Sequence, residues 1–360
     1  MFSFASHLKV IDLSTVLAGP SVGMFFAEIG ADVIKIENPK TGGDVTRTWK
    51  NAKEGKDDSV SAYWSSINFG KKYLSLNIAD ADDRATLDAM LVDADLLITN
   101  FKSGDDTKFG LDFPSLHVRF PKLILASISG FVSAPERVAY DVVLQAETGF
   151  MFMNGTPHGP SVKMPVALMD VLAAHHLKEA VLCALLERHH TGKGCAVNCS
   201  LEKAGIASLI NQASNFLMSG VVAQKMGTLH PNIAPYGESF ICADGKEMVL
   251  AVGSDKQFQS LLKLLALEAL ISDERFKDNP SRLANRAALQ EVLTPAFQQK
   301  NAEELLRAFI RENIPSGIVR SIDEVLTKEP ALSMIREEEV GHFNTKRISS
   351  IAFDVITPGV

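Results

Sequence analysis

The sequence predicts an α/β fold in which a large domain is built on a parallel sheet and is followed by a smaller α+β domain. Two observations carry this prediction. Strand-like segments alternate with helical patterns through the first 130 residues or so, and from about Gly227 a hairpin pattern is followed by amphipathic helices. The chain has 360 residues, of which 46% are hydrophobic and 22% charged, so it is long enough to fill two cores.

The first strand–helix–strand unit covers residues 8–37. LKVIDLS has a strand pattern, AGPSVGMFFAEIG is an amphipathic helix that ends at Gly30, and ADVIKIE is a second strand. Three further strands are predicted, with helical or shorter polar segments between them: YLSLNI at 73–78, DLLITN at 95–100 and KLILASIS at 122–129. Because alternating strands and helices form parallel sheets covered on both faces, we expect a Rossmann-like large domain.

The second half of the chain changes character after Gly159. DVLAAHHLKEAVLCALLERHH is a long helix of strong helix formers that stops at the TGKG turn, and a second helix is plausible over LEKAGIASLINQASNFLMSG. SFICADGKEMVLAVG predicts a hairpin across Asp244-Gly245, and helices follow it. The predicted organisation is a large domain over 1–200 completed by 329–360, a linker helix over 201–226, and a small α+β domain over 227–328.

Charge and composition exclude several classes. The net charge of -7 with dispersed lysines and arginines argues against nucleic-acid binding. The N-terminus has no signal-peptide pattern, and no apolar run reaches membrane-spanning length, so we expect a cytoplasmic protein that does not bind membranes. Four cysteines in a chain of this length are interpreted as free thiols, namely Cys183, Cys195, Cys199 and Cys242.

The familiar cofactor and hydrolase motifs are absent from the sequence. It contains no GxGxxG after the first strand, no GxxxxGK[ST], no HExxH and no GxSxG, which removes the obvious dehydrogenase, ATPase, zinc-protease and serine-hydrolase interpretations. The histidine pairs at 175–176 and 189–190 share a helix face, but no carboxylate or cysteine completes a ligand set at metal spacing. We therefore expect no metal.

Asp170 stands out because it opens the long helix directly after the apolar stretch KMPVALM. One interpretation is a helix N-cap, whose side chain accepts hydrogen bonds from the amides of the first turn. The other is a functional carboxylate that faces a cleft. Both can hold at once, because a carboxylate fixed at a helix start has one side-chain conformation. Residue type alone favours the cap.

Several ordered segments resemble the class III CoA-transferase family, also called CaiB/BaiF. They are KVIDLSTVLAGP, GADVIKIENPKTGGDVTR, NFGKKYLSLNI, ADLLITNFKSG, AYDVVLQAETGFM, MDVLAAHHLKEAVLCALLERHHTGKGCAVNCSL and GTLHPNIAPYGESFICADGKEMVLAVGSDKQF. The resemblance implies the interlocked-dimer CoA-transferase fold, acyl-CoA and carboxylate substrates, a homodimer, and no cofactor apart from coenzyme A as substrate.

The resemblance also assigns roles to residues. Asp170 matches the family's nucleophilic carboxylate, which forms an aspartyl anhydride and then an aspartyl-CoA thioester. Oxyanion donors would come from the loop Gly253 to Gln257. Contacts with CoA are implied for the turn after the first strand, for the end of a later strand and for nearby cations: Val16, Leu17, Ala18, Gly19, Asn68, Lys71, Lys72, Asn100, Phe101, Lys102 and Lys108.

The substrate is suggested by the small-domain segment, which is most similar to the branch acting on dicarboxylates such as glutarate, itaconate or mesaconate with succinyl-CoA. A second carboxylate calls for a cation or imidazole, which His230 or Arg47 could supply. Tyr140, just before Asp141, resembles the position at which the family's racemase branch has a histidine that pairs with the aspartate. A tyrosine is a poor substitute for imidazole, so Tyr140 is interpreted as lining the acyl site or donating a hydrogen bond there, and ordinary packing is the alternative.

Two alternatives stay open at this point. One is an isomerase similar to α-methylacyl-CoA racemase, and the other is a non-catalytic acyl-CoA binder. The chain departs from the family pattern at Leu17, where several transferases have glutamine, in a shortened SGFVSAPERVAYD segment, and in IENP, which lacks an arginine found in some members. These departures concern the predicted CoA contacts and not the predicted fold.

Overall fold

The computed structural model describes residues 4–356, which form two compact units. The first unit contains the chain up to Met151, Lys163–Ala223 and the residues from Pro330 onward, and the second contains Phe152–Val162 and Gln224–Glu329. The bounds differ from those predicted in two places. Phe152–Val162 belongs to the second unit and not to the first. The predicted linker over 201–226 is divided, with residues up to Ala223 in the first unit and those from Gln224 in the second.

The first unit is built on a parallel sheet of six strands within the described residues, which confirms the predicted α/β class. The strand order is β3-β2-β1-β4-β5-β6, so the direction of strand addition reverses between β1 and β4. Ligands of open parallel sheets bind at the carboxyl ends of the strands at such a reversal. The strands are β1 Lys9–Asp12, β2 Asp32–Glu37, β3 Lys72–Ser75, β4 Leu96–Thr99, β5 Ile124–Ser129 and β6 Ala196–Ser200.

Helices cover this sheet, and apolar side chains from α1, α8 and the strands fill the space between them. Phe26, Ile98, Met169 and Leu177 belong to this core and are fully buried. The predicted helix over 201–220 is interrupted, because Ile210 has a positive φ of 38°. The helices are α1 Ala18–Glu28, α2 Ala62–Ser65, α3 Ala81–Leu91, α4 Asp105–Lys108, α5 Phe113–Arg119, α6 Asp141–Glu147, α7 Phe150–Met153, α8 Leu168–Thr191, α9 Leu201–Ala207 and α10 Ile210–Ser219.

The second unit has its own antiparallel sheet and its own core. The β7–β8 hairpin turns at Asp244-Gly245 as predicted, and β9 pairs with β8. Phe240 stacks on Phe297 with ring centroids 4.2 Å apart at the centre of this core. Its elements are β7 Tyr236–Ile241, β8 Glu247–Ala251, β9 Ser316–Ile318, α11 Asp255–Leu264, α12 Asn279–Ala284, α13 Arg286–Gln298, α14 Ala302–Arg311 and α15 Ile322–Leu326.

The C-terminal segment returns to the first unit as α16 Ala331–Met334 and the hairpin of β10 Ile335–Val340 with β11 Phe343–Ile348. Its anchor is Glu28, at the end of α1. This buried carboxylate accepts hydrogen bonds from Arg347, at 2.7 Å, and from Ser349 and Ser350. Arg347 also lies over the ring of Phe69, 4.1 Å from its centroid. The tail therefore closes the first unit through a buried ion pair.

No helix within residues 4–356 is both long enough and apolar enough to cross a membrane.

Candidate functional site

The turn after β1 lies at the reversal point of the sheet and is held by polar side chains. Asp12 accepts hydrogen bonds from the backbone N–H and the hydroxyl of Ser14. The side chain of Asn100, just after β4, binds both sides of the Thr15 backbone, with its oxygen accepting from the N–H at 2.9 Å and its nitrogen donating to the carbonyl at 2.8 Å. Val16 has a φ of 73°, a conformation that β-branched residues rarely adopt. The turn is therefore strained and fixed from outside.

Two buried ion pairs lie beneath this turn. Lys71 pairs with Asp12 at 2.9 Å and Lys35 with Asp44 at 3.3 Å, and all four side chains are inaccessible to solvent. Burial would raise the pKa of Asp12, but the two lysines outweigh it and hold that pKa below its ordinary value. Burial lowers the pKa of Lys71 to about 8 in spite of Asp12. Asp44 also accepts the N–H of Val16 at 3.2 Å.

Asp170 lies in the first turn of α8, three positions after Ala167, the residue that precedes the helix. The N-cap of α8 is therefore Ala167 and not Asp170, so the N-cap interpretation of Asp170 is wrong. Ala167 has no polar side chain to cap the helix, and the cap comes from a distant residue, because the carboxylate of Asp141 accepts the N–H of Met169 at 2.8 Å. The second oxygen of Asp141 accepts from the side chain of Gln145 at 2.7 Å. The Asp170 carboxyl is thus left to face other groups.

Those groups make Asp170 an unusual carboxyl. Burial and the nearby charge of Asp141 raise its pKa to about 7, while the nearby backbone amides of Ala18 and of Asp170 itself oppose the rise. Ala18 is the first residue of α1, so the positive ends of two helices, α1 and α8, meet at this group. A carboxyl of this kind ionises near neutral pH and is only partly hydrated, which suits a nucleophile.

Tyr63, on α2, is a neighbour that the sequence analysis missed. Burial and the charges of Asp170, Asp141 and Asp44 raise the pKa of its hydroxyl to about 12, so it stays protonated and can donate a hydrogen bond. The ring contacts Trp49 edge to face, with centroids 5.0 Å apart. No local signal marks this tyrosine, because its proximity to Asp170 arises from chain segments about a hundred residues apart.

Of the residues predicted to bind CoA, the structure brings the turn Val16 to Gly19 together with Asn100. Gly19 is required there, because a Cβ at this position would lie 2.3 Å from the side chain of Ser14. Phe101 is half-buried beside Phe109, with ring centroids 6.0 Å apart. Three predicted phosphate ligands are exposed cations, namely Lys102, Lys108 and Lys72, of which Lys72 pairs with Asp32 at the surface.

Two predicted CoA contacts need correction. Lys71 donates to Asp12, to the carbonyl of Pro20 at 2.8 Å and to the side-chain oxygen of Asn68 at 2.9 Å. Asn68 is itself buried and donates to the carbonyl of Trp64. Because both side chains are buried and bonded to the protein, they stabilise the fold around the turn and are not available to bind phosphate.

Arg47 is also bound to other residues of the protein. Its guanidinium makes two hydrogen bonds to Glu37, of 2.7 and 3.1 Å, donates to the carbonyl of Ser59 and lies 4.0 Å from the ring centroid of Trp64. Its charge is thus already matched by a carboxylate, which argues against the predicted role of Arg47 as the cation for a second substrate carboxylate.

The remaining predicted residues stay predictions. Tyr140 is exposed and precedes α6, and Leu17 precedes α1. His230, Gly253 and Gln257 lie in the second unit. There the His230 ring accepts from the N–H of Asn232 at 3.1 Å, and the side-chain oxygen of Gln257 accepts the N–H of Gly253 at 3.1 Å.

The first unit is therefore an open parallel-sheet domain with a carboxyl of raised pKa beside the turn at its reversal point. Sequence comparison gives the class: residues 6–348 match the pattern of CoA-transferase family III. The chain belongs to this family, and it is an enzyme of the transferase class. The resemblance stated from the sequence is confirmed.

Individual relatives agree with this assignment. The chain is 36% identical to the succinate–glutarate CoA-transferase of Agrobacterium fabrum over 327 residues, which cover 89% of this chain and 81% of the relative. It is 30% identical to the succinyl-CoA:glutarate CoA-transferase of Homo sapiens, covering 95% and 77%. The crystal structure of a CaiB/BaiF family protein from Brucella suis matches with a TM-score of 0.84 and 34% identity, covering 96% of this chain and 91% of that one.

Proposed function

We propose that this protein moves coenzyme A from an acyl-CoA such as succinyl-CoA to a dicarboxylate acid, with Asp170 as the covalent nucleophile. The observation that carries the proposal is the Asp170 carboxyl itself, which lies in the first turn of α8 near the amide of Ala18, the first residue of α1, and whose pKa is raised to about 7. The choice of dicarboxylates is supported by the relatives from Agrobacterium fabrum and Homo sapiens, both of which are glutarate CoA-transferases.

The chemistry proceeds by two exchanges at one carboxyl. The ionised oxygen of Asp170 attacks the thioester carbonyl, and the C–S bond breaks. CoA departs as a thiolate, and the acyl group stays on Asp170 as a mixed anhydride. The thiolate then attacks the aspartyl carbonyl and releases the first acid, which leaves CoA on Asp170 as a thioester. The incoming acid repeats the two steps in reverse order, so that the new acyl-CoA departs and the carboxylate is regenerated.

The surroundings of Asp170 support both directions of this exchange. At pH 8 a carboxyl with a pKa near 7 is mostly ionised, and partial desolvation leaves its oxygen more reactive than a hydrated carboxylate. When thiolate attacks the aspartyl carbonyl, negative charge develops on the oxygen that the Ala18 amide already faces. A preorganised donor of this kind contributes roughly 3–4 kcal/mol to such a step.

The CoA is proposed to lie along the turn Val16 to Gly19 and past Phe101, with phosphates near exposed lysines. The turn and Asn100 are at the carboxyl ends of β1 and β4, where sheets of this strand order bind ligands. The cations proposed for the phosphates are Lys72, Lys102 and Lys108.

A homodimer is also proposed. The first unit exposes large apolar side chains on α10 and the residues after it, including Ile210, Leu217 and Met218, which are 72%, 79% and 88% exposed. Several large apolar side chains exposed on one helix favour association with a second chain. Sedimentation at micromolar concentration should give twice the chain mass, and a monomer would contradict the proposal.

The covalent mechanism predicts a trapped intermediate. Incubation with succinyl-CoA and hydroxylamine should convert the acylated Asp170 to a hydroxamate and add about 15 Da, because hydroxylamine attacks anhydrides and thioesters. Intact mass spectrometry with peptide mapping measures the adduct, and Asp170→Ala is the control that should stay unmodified. If neither succinyl-CoA nor a panel of other acyl-CoAs gives an adduct at Asp170, the covalent mechanism is wrong. The isomerase and the non-catalytic binder then become the better interpretations.

His230 remains the predicted partner of the second substrate carboxylate. Replacing the imidazole should remove a cationic or hydrogen-bonding contact, so His230→Ala should reduce the preference for glutarate over butyrate about tenfold or more, the effect of one lost charge-assisted hydrogen bond. The ratio of kcat/KM values for the two acids measures this. An unchanged ratio would assign His230 to the packing of the second unit, where its ring lies 4.9 Å from that of Tyr236.

A further inference from the structure

The turn that presents the Ala18 amide is held in a conformation that its own sequence disfavours. Val16 has a φ of 73°, in the left-handed region that β-branched side chains avoid. A strained conformation persists where the surrounding structure over-determines it, and such positions cluster at active sites. A contact from another part of the chain must therefore hold Val16 in this conformation.

Asp44 makes that contact from outside the turn. Its two carboxylate oxygens lie 3.3 and 3.2 Å from the backbone nitrogen of Val16, whose N–H they accept. Asp44 is itself fixed, because its carboxylate accepts from the backbone and hydroxyl of Thr46 and pairs with Lys35. Lys35 completes the clamp by donating to the carbonyl of Ser14, two residues before Val16.

The contacts of Asn100 and Asp44 hold two consecutive residues of the turn. Asn100 fixes the peptide groups of Thr15 and Asp44 fixes the amide of Val16. Two residues later Ala18 begins α1, which packs against α8, and its amide lies near Asp170 in the first turn of α8. Neither Asp44 nor Lys35 is exposed, so neither can touch substrate directly. A buried charged pair is costly to maintain, and replacing such pairs with apolar residues is often neutral or stabilising. Stability alone is therefore a weak reason for its presence.

We propose that Asp44 is a positioning residue for the transfer reaction, which by accepting the Val16 N–H holds the turn in the left-handed conformation that brings the Ala18 amide to Asp170. The proposal rests on the proposed function for its catalytic consequence. Its structural part concerns the environment of Asp170 and can be measured without substrate.

The kinetic test uses Asp44→Asn, Val16→Gly and the double variant. Asp44→Asn removes the charge that Lys35 requires, so the turn should loosen and turnover at saturating substrates should fall about 10²-fold, the effect of a small misplacement of a reacting group. Glycine occupies the left-handed region without strain. The double variant should therefore recover about fivefold of the lost turnover relative to Asp44→Asn, and a purely structural role for Asp44 would show no such rescue.

A matched control separates positioning from general loss of stability. Glu28→Gln removes a buried charge of the same unit that contacts Arg347 and not the turn. It should lower the unfolding midpoint in urea to a similar extent, with turnover of the folded enzyme within about twofold of wild type, as expected for a site outside the reaction. If Asp44→Asn behaves in the same way as Glu28→Gln, the proposal is overturned.

The substrate-free test follows the ionisation of Asp170. The difference in unfolding free energy between chains with Asp170 and with Asp170→Asn, measured from pH 4 to 9, reports the pKa of residue 170 in the folded state. In the Asp44→Asn background that pKa should rise, because the opposing Ala18 amide is displaced. An unchanged value refutes the proposal. Absence of a hydroxamate in wild type, with the pKa change present, would instead count against the proposed function alone.

Discussion

Asp170→Asn is expected to lower the rate of CoA transfer by at least about 10³-fold and, at the same time, to stabilise the fold above pH 7. The rate falls because an amide cannot form the anhydride, and loss of a covalent nucleophile commonly costs this much or more. The stability rises because the pKa of the half-buried Asp170 carboxyl is raised to about 7, so that its ionisation costs free energy in the folded state.

The sign and the pH window follow from that pKa. In the unfolded chain an aspartate ionises near pH 3.9, so between about pH 4 and 7 the folded protein holds a proton that the unfolded chain has lost. Stability of the wild type therefore decreases as the pH rises through this window. Asparagine carries no charge, so the variant should be about 2–4 kcal/mol more stable at pH 8 and nearly equal at pH 4.

Urea unfolding at pH 4.5, 6 and 8 measures this difference. A stability gain that does not depend on pH would mean that the substitution acts through packing and not through the charge of Asp170. Retained CoA transfer in the variant would overturn the proposed mechanism, whatever the stability result.

Lys71→Met is expected to destabilise the first unit by about 3–5 kcal/mol, because it leaves a buried carboxylate without its partner. The Lys71 side chain is inaccessible and donates to Asp12 at 2.9 Å, and Asp12 is likewise inaccessible. Lys35 can offset part of the remaining charge, since it also lowers the pKa of Asp12. The measurement is the free energy of unfolding in urea at pH 7.

The adjacent residue is the control. Lys72 is 70% exposed in its side chain and pairs with Asp32 at the surface, so Lys72→Met should change stability by less than about 1 kcal/mol. If Lys72 binds a phosphate of CoA, as proposed, its variant should instead raise the KM for acyl-CoA. Equal stability losses in the two variants would contradict the distinction drawn between these neighbouring lysines.

These two lysines also show that the sequence alone does not predict which charged side chain is buried. Both stand in the same segment, NFGKKYLSLNI, and from residue type both are plausible phosphate ligands. The strand β3 begins at Lys72, and the preceding residue points inward to the carboxylate of Asp12 from the first strand. Burial of a charge depends on contacts between distant segments, which composition and periodicity do not report.

The sequence predicted the fold better than it predicted the site. Apolar strands such as LLIT and ILAS, separated by helices, indicate a parallel sheet whatever their partners, and the structure confirms it. The strand β6 was not predicted, because AVNCS is short and only partly buried, and its pairing with β5 alone defines it. Local patterns therefore identify strands with strong apolar character, and tertiary pairing creates the others.

The site was predicted through Asp170 and the turn Val16 to Gly19, both by resemblance to a family. What the sequence could not supply is their geometry. Ala18 and Asp170 are separated by about 150 positions, and the roles of Asp44 and Tyr63 arise only where the loops after different strands converge. Loop conformation is decided by such convergence, because loops have no periodic pattern of their own.

The return of the C-terminal segment to the first unit sets the order of events during synthesis. Arg347 is 319 positions from Glu28, its partner in the buried ion pair. Until Arg347 has emerged from the ribosome, that carboxylate is unpaired and the end of α1 lacks the hairpin that covers it. Contacts of such large sequence separation slow folding and leave incomplete chains open to association. Nascent chains of this enzyme should therefore need protection until the β10–β11 hairpin emerges, although the six strands of the parallel sheet are all synthesised by residue 200.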